Sequence, residues 1–381
     1  MSTAADIRAD FPPGKLVNLP IGSVSWGNGS LSTVGELLGS FGARKTALFT
    51  TPFQAADPDL MASVMTAVPT IVLTHSNFNP HAPEADIAAA AAVLMENDID
   101  SVVSVGGGSV IDAAKAALGR VIDAGHTRPR HVVVPTTLSG SELSHTFGVT
   151  ETQGTSTFKR SHARIDVSAD AVVYDERVVE STPGDLWLAS GVKAVDHAIE
   201  GLLGTAALPV VDSLAYSGIR RMVESLSQNA KGRGAAQIAA WECYSHPQAM
   251  SYGLSHRLGH MLGGTFGVPH SVTSAITLPA VLGRMTAMQP RELASIAQAL
   301  DLNQATPTRR TGSICDPGTA SLLLRDWCES LGLPTRLRDV DFAQSNLDAL
   351  ADMTAAAYPS ETAVLGVEAG RRLKELVRSM W

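Results

Sequence analysis

The stretch VVSVGGGSVIDAAK, residues 102–115, places three consecutive glycines between an apolar run and a helical pattern. The apolar residues 101–108 are typical of a buried strand, and residues 109–125 have a helical pattern that Gly125 closes. Because glycines let an anion approach the backbone N–H groups, and a helix start favours negative charge, such a turn can bind a phosphate. The stretch predicts a strand–turn–helix unit with an anion site at Gly107, Gly108 and Ser109.

A second polar loop supports this interpretation. The glycine spacing matches neither G-x-G-x-x-G nor the P-loop pattern, so a tight turn that binds nothing is the alternative. However, the next apolar run, 131–137, leads into PTTLSGSE (135–142). Ligands bind at the carboxyl ends of strands in open α/β sheets, so two such loops on neighbouring strands favour a shared nucleotide site. The hydroxyls on offer belong to Thr136, Thr137, Ser139 and Ser141.

The alternation of strand and helix patterns defines the fold class. β-like runs at 45–52 and 70–78 alternate with helical patterns at 58–68 and 83–98, which favours a doubly wound parallel sheet. From about residue 183 the strand patterns stop and helical patterns follow, including one over 234–265 and another over 361–380, with 151–182 as the join. We expect an α/β N-terminal domain, residues 1–182, and an all-α C-terminal domain, residues 183–381.

Composition excludes several classes of partner. The 381 residues carry a net charge of −8 and are 45% hydrophobic, without clustered basic residues, so we expect neither nucleic acid nor an anionic membrane as a partner. No apolar run is long enough to span a membrane, and the first residues lack the apolar core of a signal peptide. Three cysteines at no metal-like spacing are expected to be reduced thiols. These features predict a cytoplasmic protein with a small-molecule substrate.

Four histidines cluster in two helical patterns. GVKAVDHAIE (191–200) places Lys193 and His197 four residues apart, hence on one helix face, with Asp196 expected to point elsewhere. SHRLGHMLGGTFGVPH (255–270) contains His256, His260 and His270. A single helical histidine is usually structural, but four of them downstream of an anion loop suggest a metal site or a proton-transfer site. There is no H-E-x-x-H motif, and G-x-S-x-G occurs only as short look-alikes in loops, which argues against a zinc protease and a serine hydrolase.

Four motifs in this order resemble the iron-containing (group III) alcohol dehydrogenase family. They are GGGSVIDAAK (106–115), PTTLSGSE (135–142), GVKAVDHAIE and GLSHRLGHMLGGTFGVPH (253–270). The resemblance covers nearly the whole chain and is closer to the maleylacetate reductase branch, whose loop after the threonines is equally short. It implies a nucleotide-binding domain, a helical domain, an active site between them and a homodimer.

The resemblance also implies residues that bind NAD(P)H. The pyrophosphate would lie on Gly106, Gly107, Gly108 and Ser109; the nicotinamide side would be lined by Thr136, Thr137 and Ser141; Lys159 would lie near the ribose. The turn that contains Thr51 lacks the acidic residue that would hold a ribose 2′-hydroxyl and repel a 2′-phosphate. This favours NADPH, or the use of both cofactors.

The metal site of the family is altered in this sequence. Metal-dependent members bind the ion through an Asp and three His, and these positions correspond to Lys193, His197, His256 and His270. Because a protonated lysine cannot ligate a cation and repels it, we expect no catalytic metal. If a metal binds, His197, His256 and His270 would hold it, since three histidines are sufficient for zinc.

The expected function is reduction of an aldehyde, ketone or activated alkene by NAD(P)H. Lys193 would stabilise the developing oxyanion, His260 would donate the proton, and the other histidines would line the pocket. A buried ammonium favours an anionic substrate such as maleylacetate, although AAAYPSETAVLGVEAG (355–370) lacks an arginine that typical maleylacetate reductases have near that place.

Four alternatives remain open from the sequence. The first is a metal-dependent alcohol dehydrogenase that tolerates Lys193. The second is a non-redox cyclase or lyase that uses Lys193 as a base or Schiff-base former. The third is a catalytically inactive binding protein. In the fourth, Lys193 only forms an ion pair with Asp196 or Glu200 on the helix surface.

Overall fold

The structure is a computed structural model that describes residues 16–79, 82–153, 156–204, 208–227, 232–247, 252–269, 271–301, 316 and 318–381. Within these ranges six strands form one parallel sheet in the order β1-β8-β5-β4-β2-β3, and β6 and β7 form an antiparallel hairpin. The strands are β1 (Ser23–Trp26), β2 (Thr46–Thr50), β3 (Ile71–His75), β4 (Ser101–Gly106), β5 (Arg130–Pro135), β6 (Thr146–Gln153), β7 (Ser156–Ala163) and β8 (Ala171–Tyr174).

The helices fall into two groups. Those associated with the sheet are α1 (Thr33–Ser40), α2 (Pro52–Ala55), α3 (Pro58–Ala67), α4 (Glu84–Glu96), α5 (Gly108–Asp123) and α6 (Glu176–Val179). The C-terminal group is α7 (Gly184–Leu202), α8 (Pro209–Ser227), α9 (Arg233–Cys243), α10 (Leu254–Phe266), α11 (Thr273–Met285), α12 (Pro290–Leu300), α13 (Thr319–Ser330), α14 (Leu347–Ala357), α15 (Pro359–Thr362) and α16 (Ala369–Ser379). The predicted fold class is confirmed. No helix in the described ranges combines the length and the hydropathy needed to cross a bilayer.

Helices cover both faces of the sheet, and the strands β2 and β4 near its centre are buried at every position. Alternate residues of a strand point to opposite faces, and in β4 Val102 packs in the layer of α4 and α5 while Val103 packs in the layer of α1 and α3. All six residues of β4 are buried, as expected for a central parallel strand. The C-terminal helices bury a separate large core of their own.

Several predicted boundaries were wrong. The predicted helix 234–265 is two helices, because α9 ends at Cys243 and α10 begins at Leu254, with Pro247 and the extended Gly253 between them. Proline removes a backbone donor and interrupts a helix. The predicted helix 361–380 is also interrupted, at Gly366, whose φ is +76°.

The sheet contains strands that the sequence patterns did not reveal. β1 and β8 have only four residues each and pair in register, Ser23 with Ala171 through Trp26 with Tyr174. The segment 151–182, interpreted as a join, contains β8 and most of the β6–β7 hairpin. These short strands gain their stability from pairing with neighbouring strands, β8 with β5 and β1 with β8, which a local pattern does not encode.

Buried charges hold the loop that follows β5. Lys115 of α5 is 1% exposed and donates to the carbonyls of Ser141 at 2.9 Å, Ser144 at 3.3 Å and Thr146 at 2.5 Å. A buried ammonium needs several hydrogen-bond acceptors. Lys115 therefore fixes the backbone of this loop against α5.

Glu142 in the same loop makes folding stability depend on pH. Its carboxyl accepts a 3.0 Å hydrogen bond from Tyr174, and burial raises its pKa to about 7. The raised pKa means that the folded state binds this proton more tightly than the unfolded state does. The stability that Glu142 contributes is therefore fully present below about pH 4.5 and is lost as the pH rises to about 7. Glu142→Gln should therefore have a higher free energy of unfolding than the wild type at pH 8, by about 3 kcal/mol or less, and should unfold at a higher temperature. At pH 4.5 the two proteins should differ little.

Calorimetry from pH 4.5 to 8 measures this difference. Glu96→Gln, at an exposed position of α4, is the matched control. Melting curves for Glu142→Gln and the wild type that stay parallel across this pH range would contradict the assignment.

Candidate active site

A cavity of about 900 Å³ lies where the carboxyl ends of β2, β4 and β5 face α7 and α10. The loops after β4 and β5 leave the sheet side by side, because Gly106 is in register with Pro135. The cavity brings together most of the residues that the sequence singled out. Those that line it are Thr51, Gly107, Gly108, Ser109, Thr136, Thr137, Ser141, Lys193, His197, His256 and His260.

Of the other three predicted site residues, Gly106 is not part of that lining, and the structure does not describe the Lys159 side chain or His270. Gly106 is the last residue of β4, and a Cβ there would lie 2.8 Å from Val110 Cγ2, so close packing requires the glycine. Lys159 lies on β7 opposite Thr150, and its side chain is outside the described part of the structure. His270 also lies outside the described residues.

The glycine turn forms a cradle that a side chain would fill. A Cβ on Gly107 would lie 2.9 Å from Thr137 Cγ2, and one on Gly108 would lie 3.1 Å from Ser139 Oγ. Thr137 Oγ1 and Ser139 Oγ are buried and have no hydrogen-bond partner among the described residues. Since a buried hydroxyl without a partner is costly, these two atoms and the start of α5 fit a bound phosphate group.

The turn after β2 is joined to the loop after β5. Thr51 caps α2 by accepting from Gln54 N at 3.2 Å, and Gln54 Nε2 donates to Thr136 Oγ1 at 3.2 Å. Among the described lining residues the acidic one is Asp112, which accepts from Ser141 Oγ and from Gly148 N. No carboxylate in that lining is therefore free to accept from a ribose 2′-hydroxyl.

Lys193 forms a buried ion pair at the α7 side of the cavity. It is 9% exposed, and its Nζ lies 3.1 Å from Asp196 Oδ2 and 2.7 Å from His256 Nδ1. The same Oδ2 accepts from Ser274 Oγ of α11 at 2.6 Å. The expectation that Asp196 points elsewhere was wrong, because residues three apart share a helix face. The alternative of a surface ion pair identified the correct partner, but the pair is in the interior.

Glu200 connects this ion pair to the start of α10. Its Oε1 accepts from the His256 N–H at 3.1 Å and its Oε2 from the Gly253 N–H at 3.0 Å. Burial first, and then the charge of Asp196, raises the pKa of Glu200 to about 8. Glu200 thereby fixes the backbone that carries His256, a role that the sequence did not reveal.

Aromatic rings enclose the ammonium. His197 stacks on Tyr244 with ring centroids 4.4 Å apart, and His256 stacks on Tyr252 at 4.1 Å. The two tyrosine hydroxyls are hydrogen-bonded to each other, and His260 lies 4.5 Å from the His256 ring. Burial, together with Lys193 and His260, lowers the pKa of His197 and keeps its ring neutral. Both tyrosines were missed because the segment between α9 and α10 was predicted as helix.

The described donor atoms do not fit the metal site of the family. Asp196, Glu200 and His256 place ligand-type atoms within 4.8 Å of one another. However, the Lys193 Nζ already contacts the carboxylate of Asp196 and the Nδ1 of His256. A cation bound there would lie against an ammonium, and the two charges would repel. An ammonium at this position has the charge needed to polarise an oxygen at the cavity wall.

Comparison with known proteins matches both halves of the chain. The family model for iron-containing alcohol dehydrogenase matches residues 22–176, and that for the Fe-containing alcohol dehydrogenase family, C-terminal, matches residues 187–364. The maleylacetate reductase of Pseudomonas sp. (strain P51) is 31% identical over 345 residues, 88% of this chain and 90% of that protein. The maleylacetate reductase of Sphingobium indicum is 36% identical over 283 residues, 73% of this chain and 77% of that protein.

Solved structures show the same similarity over nearly the full length. The maleylacetate reductase of Rhizobium sp. strain MTP-10005 superposes with a TM-score of 0.83 at 27% identity, covering 97% of this chain and 99% of that one. An iron-containing alcohol dehydrogenase of Corynebacterium glutamicum ATCC 13032 has a TM-score of 0.81 at 27% identity, with 97% of both chains covered.

Proposed function

We propose, on the premise that this chain belongs to the iron-containing alcohol dehydrogenase family near its maleylacetate reductase branch, that it reduces a carbonyl or activated alkene without a catalytic metal. As a member of this family it is an NAD(P)-dependent oxidoreductase. The observation that carries the proposal is the buried Lys193 ammonium between Asp196 and His256. We assign to this ammonium the role of the missing cation.

The cofactor would be held by the two loops at the sheet edge. Gly107, Gly108 and Ser109 at the start of α5 would hold its pyrophosphate, and the hydroxyls of Thr137 and Ser139 would gain the partners they lack among the described residues. The bound dihydronicotinamide supplies a hydride. The absence of a free carboxylate near Thr51 supports NADPH, or the use of both cofactors.

Lys193 would stabilise negative charge on the substrate oxygen. Asp196 and His256 fix the position of its Nζ, and a preorganised donor needs little rearrangement when the charge develops. His260 would hold the proton that the oxygen, or the alkene carbon, takes up. It lies in the cavity wall on the same helix face as His256, and it is more exposed than His256.

The two non-metal alternatives are less well supported. A Schiff base requires a neutral lysine, whereas the 3.1 Å contact with Asp196 favours the ammonium. Trapping of a substrate adduct at Lys193 by borohydride would support a lyase or cyclase. A protein that binds NAD(P)H but reduces no carbonyl or alkene in a substrate screen would support the inactive binding protein.

The proposal predicts that activity does not depend on a metal. Purified enzyme should contain no stoichiometric iron or zinc, and dialysis against a chelator should leave its NAD(P)H oxidation rate unchanged, because the Lys193 charge opposes a cation. Elemental analysis and steady-state rates measure this. Lys193→Asp restores the family's acidic ligand, so it is the matched variant and should gain bound Fe²⁺ or Zn²⁺. Loss of wild-type activity on chelation, with recovery on adding metal, would contradict the proposal.

A further inference from the structure

The charge of the cavity near Lys193 is already balanced. Lys193 is the one lysine or arginine among the described residues that line the cavity, and its ammonium is paired with the carboxylate of Asp196, which is fully buried. Glu200 lies directly behind, with both oxygens bonded to backbone N–H groups. A substrate with two carboxylates would therefore meet one cation that the Asp196 carboxylate already neutralises.

The guanidinium next in sequence to His256 is also engaged. Arg257 Nε donates to Glu361 at 2.6 Å, and its guanidinium lies over the rings of Tyr358, at 5.0 Å, and Tyr252, at 5.8 Å. Arg257 does not belong to the described cavity lining. It therefore supports the outer face of the Tyr252 ring and does not offer a free cation to a second carboxylate.

Aromatic rings and apolar side chains line part of the cavity that contains Lys193. Tyr252 and His260 are only partly buried, and both line the cavity. Phe147 and Leu186 also line it, and Leu186 is 42% exposed. His256 stacks on Tyr252 and Arg257 lies over the same ring, so the edge of that ring, together with Phe147 and Leu186, is the apolar surface that a ring-containing ligand would bury.

We infer that the substrate is an uncharged, planar, conjugated carbonyl compound, of the aryl aldehyde or enone class, and not a dicarboxylate. This inference rests on the proposed reductase function. The hydride of NAD(P)H would form the new C–H bond at the carbonyl carbon, and the C=O π electrons would move to the oxygen beside Lys193. This oxygen would then take up a proton to give the alcohol, and NAD(P)⁺ would be the second product.

The first test compares two substrates with the intact enzyme. Cinnamaldehyde and maleylacetate are each assayed by oxidation of NADPH and of NADH, and kcat/KM is compared. We expect cinnamaldehyde to be preferred by about 10-fold or more, the effect of one unfavourable buried charge. A preference for maleylacetate would overturn the inference.

Two pairs of variants locate the source of the preference. Tyr252→Leu removes the ring and should raise KM for cinnamaldehyde by about 3- to 10-fold, whereas Tyr252→Phe keeps the ring and should raise it less. Leu186→Arg adds a cation at a partly exposed position and should improve kcat/KM for maleylacetate, whereas Leu186→Gln should not. If the two variants at Tyr252 had equal effects, and the two variants at Leu186 likewise, the inferred roles of the aromatic ring and of the missing cation would both be contradicted.

A binding measurement separates this inference from the proposed function. Cinnamyl alcohol and fumarate are titrated by calorimetry into the enzyme saturated with NADP⁺. If neither test substrate is reduced, the reductase proposal fails for these substrates, while tighter binding of cinnamyl alcohol still supports the inferred substrate class. Tighter binding of fumarate overturns it whether or not reduction occurs.

Discussion

Replacing Lys193 by alanine is expected to lower kcat by about 100-fold or more, the usual cost of removing an oxyanion-stabilising donor. The expected loss is large because no other lysine or arginine in the described cavity lining can replace the ammonium. Steady-state NAD(P)H oxidation with a carbonyl substrate that the wild type reduces measures the effect. Cofactor affinity should change much less, because the glycine turn lies on the other side of the cavity.

The Lys193→Ala variant needs a control because it leaves the buried carboxylate of Asp196 unpaired. Removing one partner of a buried ion pair can cost about 3–5 kcal/mol of stability, so Lys193→Ala alone could lose activity by unfolding. The double variant Lys193→Met/Asp196→Asn removes both charges at similar volume, and NADPH binding shows whether it is folded. A folded double variant with wild-type turnover would show that Lys193 has only a structural role.

Replacing Gly107 by aspartate is expected to raise the dissociation constant of NAD(P)H by about 100-fold or more. The new carboxylate and the cofactor pyrophosphate would lie a few ångströms apart, and their negative charges would repel by more than about 2 kcal/mol. The new Cβ would also lie 2.9 Å from Thr137 Cγ2. Fluorescence titration with NADPH and NADH measures the change. Unchanged affinity would refute the assignment of this turn to the pyrophosphate.

Two matched variants separate charge from bulk and from general destabilisation. Gly107→Asn has almost the same volume as Gly107→Asp but no charge, so the difference in affinity between them reports the electrostatic part. Gly39→Asp places the same side chain on an exposed site in α1 where a Cβ meets no atom within 4 Å. It should leave cofactor binding unchanged.

The N-terminal architecture could be predicted from sequence because its evidence is local. The strands β2 to β5 are apolar runs, and the helices between them show a clear helical spacing of apolar residues. Parallel pairing of β4 with β5 then places Gly106 beside Pro135. The short strands β1 and β8, of which β1 forms one edge of the sheet, could not be predicted in this way. Each has four residues, and the sheet that they extend is formed by residues far away in the chain.

The candidate site was predictable in part for the same reason. The glycine turn and the pairs four apart on a helix are local features. Pro247 and Gly253 do break the segment between α9 and α10, but the sequence pattern predicted one helix across them, and so Tyr244 and Tyr252 were missed. The stacking of Tyr244 on His197 depends on how α9 packs against α7, whereas Tyr252 stacks on His256, four residues away.

The sequence by itself determined that a lysine stands where metal-dependent relatives have an acidic ligand, and that a phosphate-type turn precedes it. Only the tertiary structure showed the contacts of this lysine, because they depend on how separate helices pack together. Asp196 is three residues away, but its burial depends on Ser274 of α11, and His256 is 63 residues away on α10. The packing of α7 against these helices leaves the side chains of Lys193 and Asp196 only 11% and 0% exposed, and such burial strengthens the attraction between the two charges.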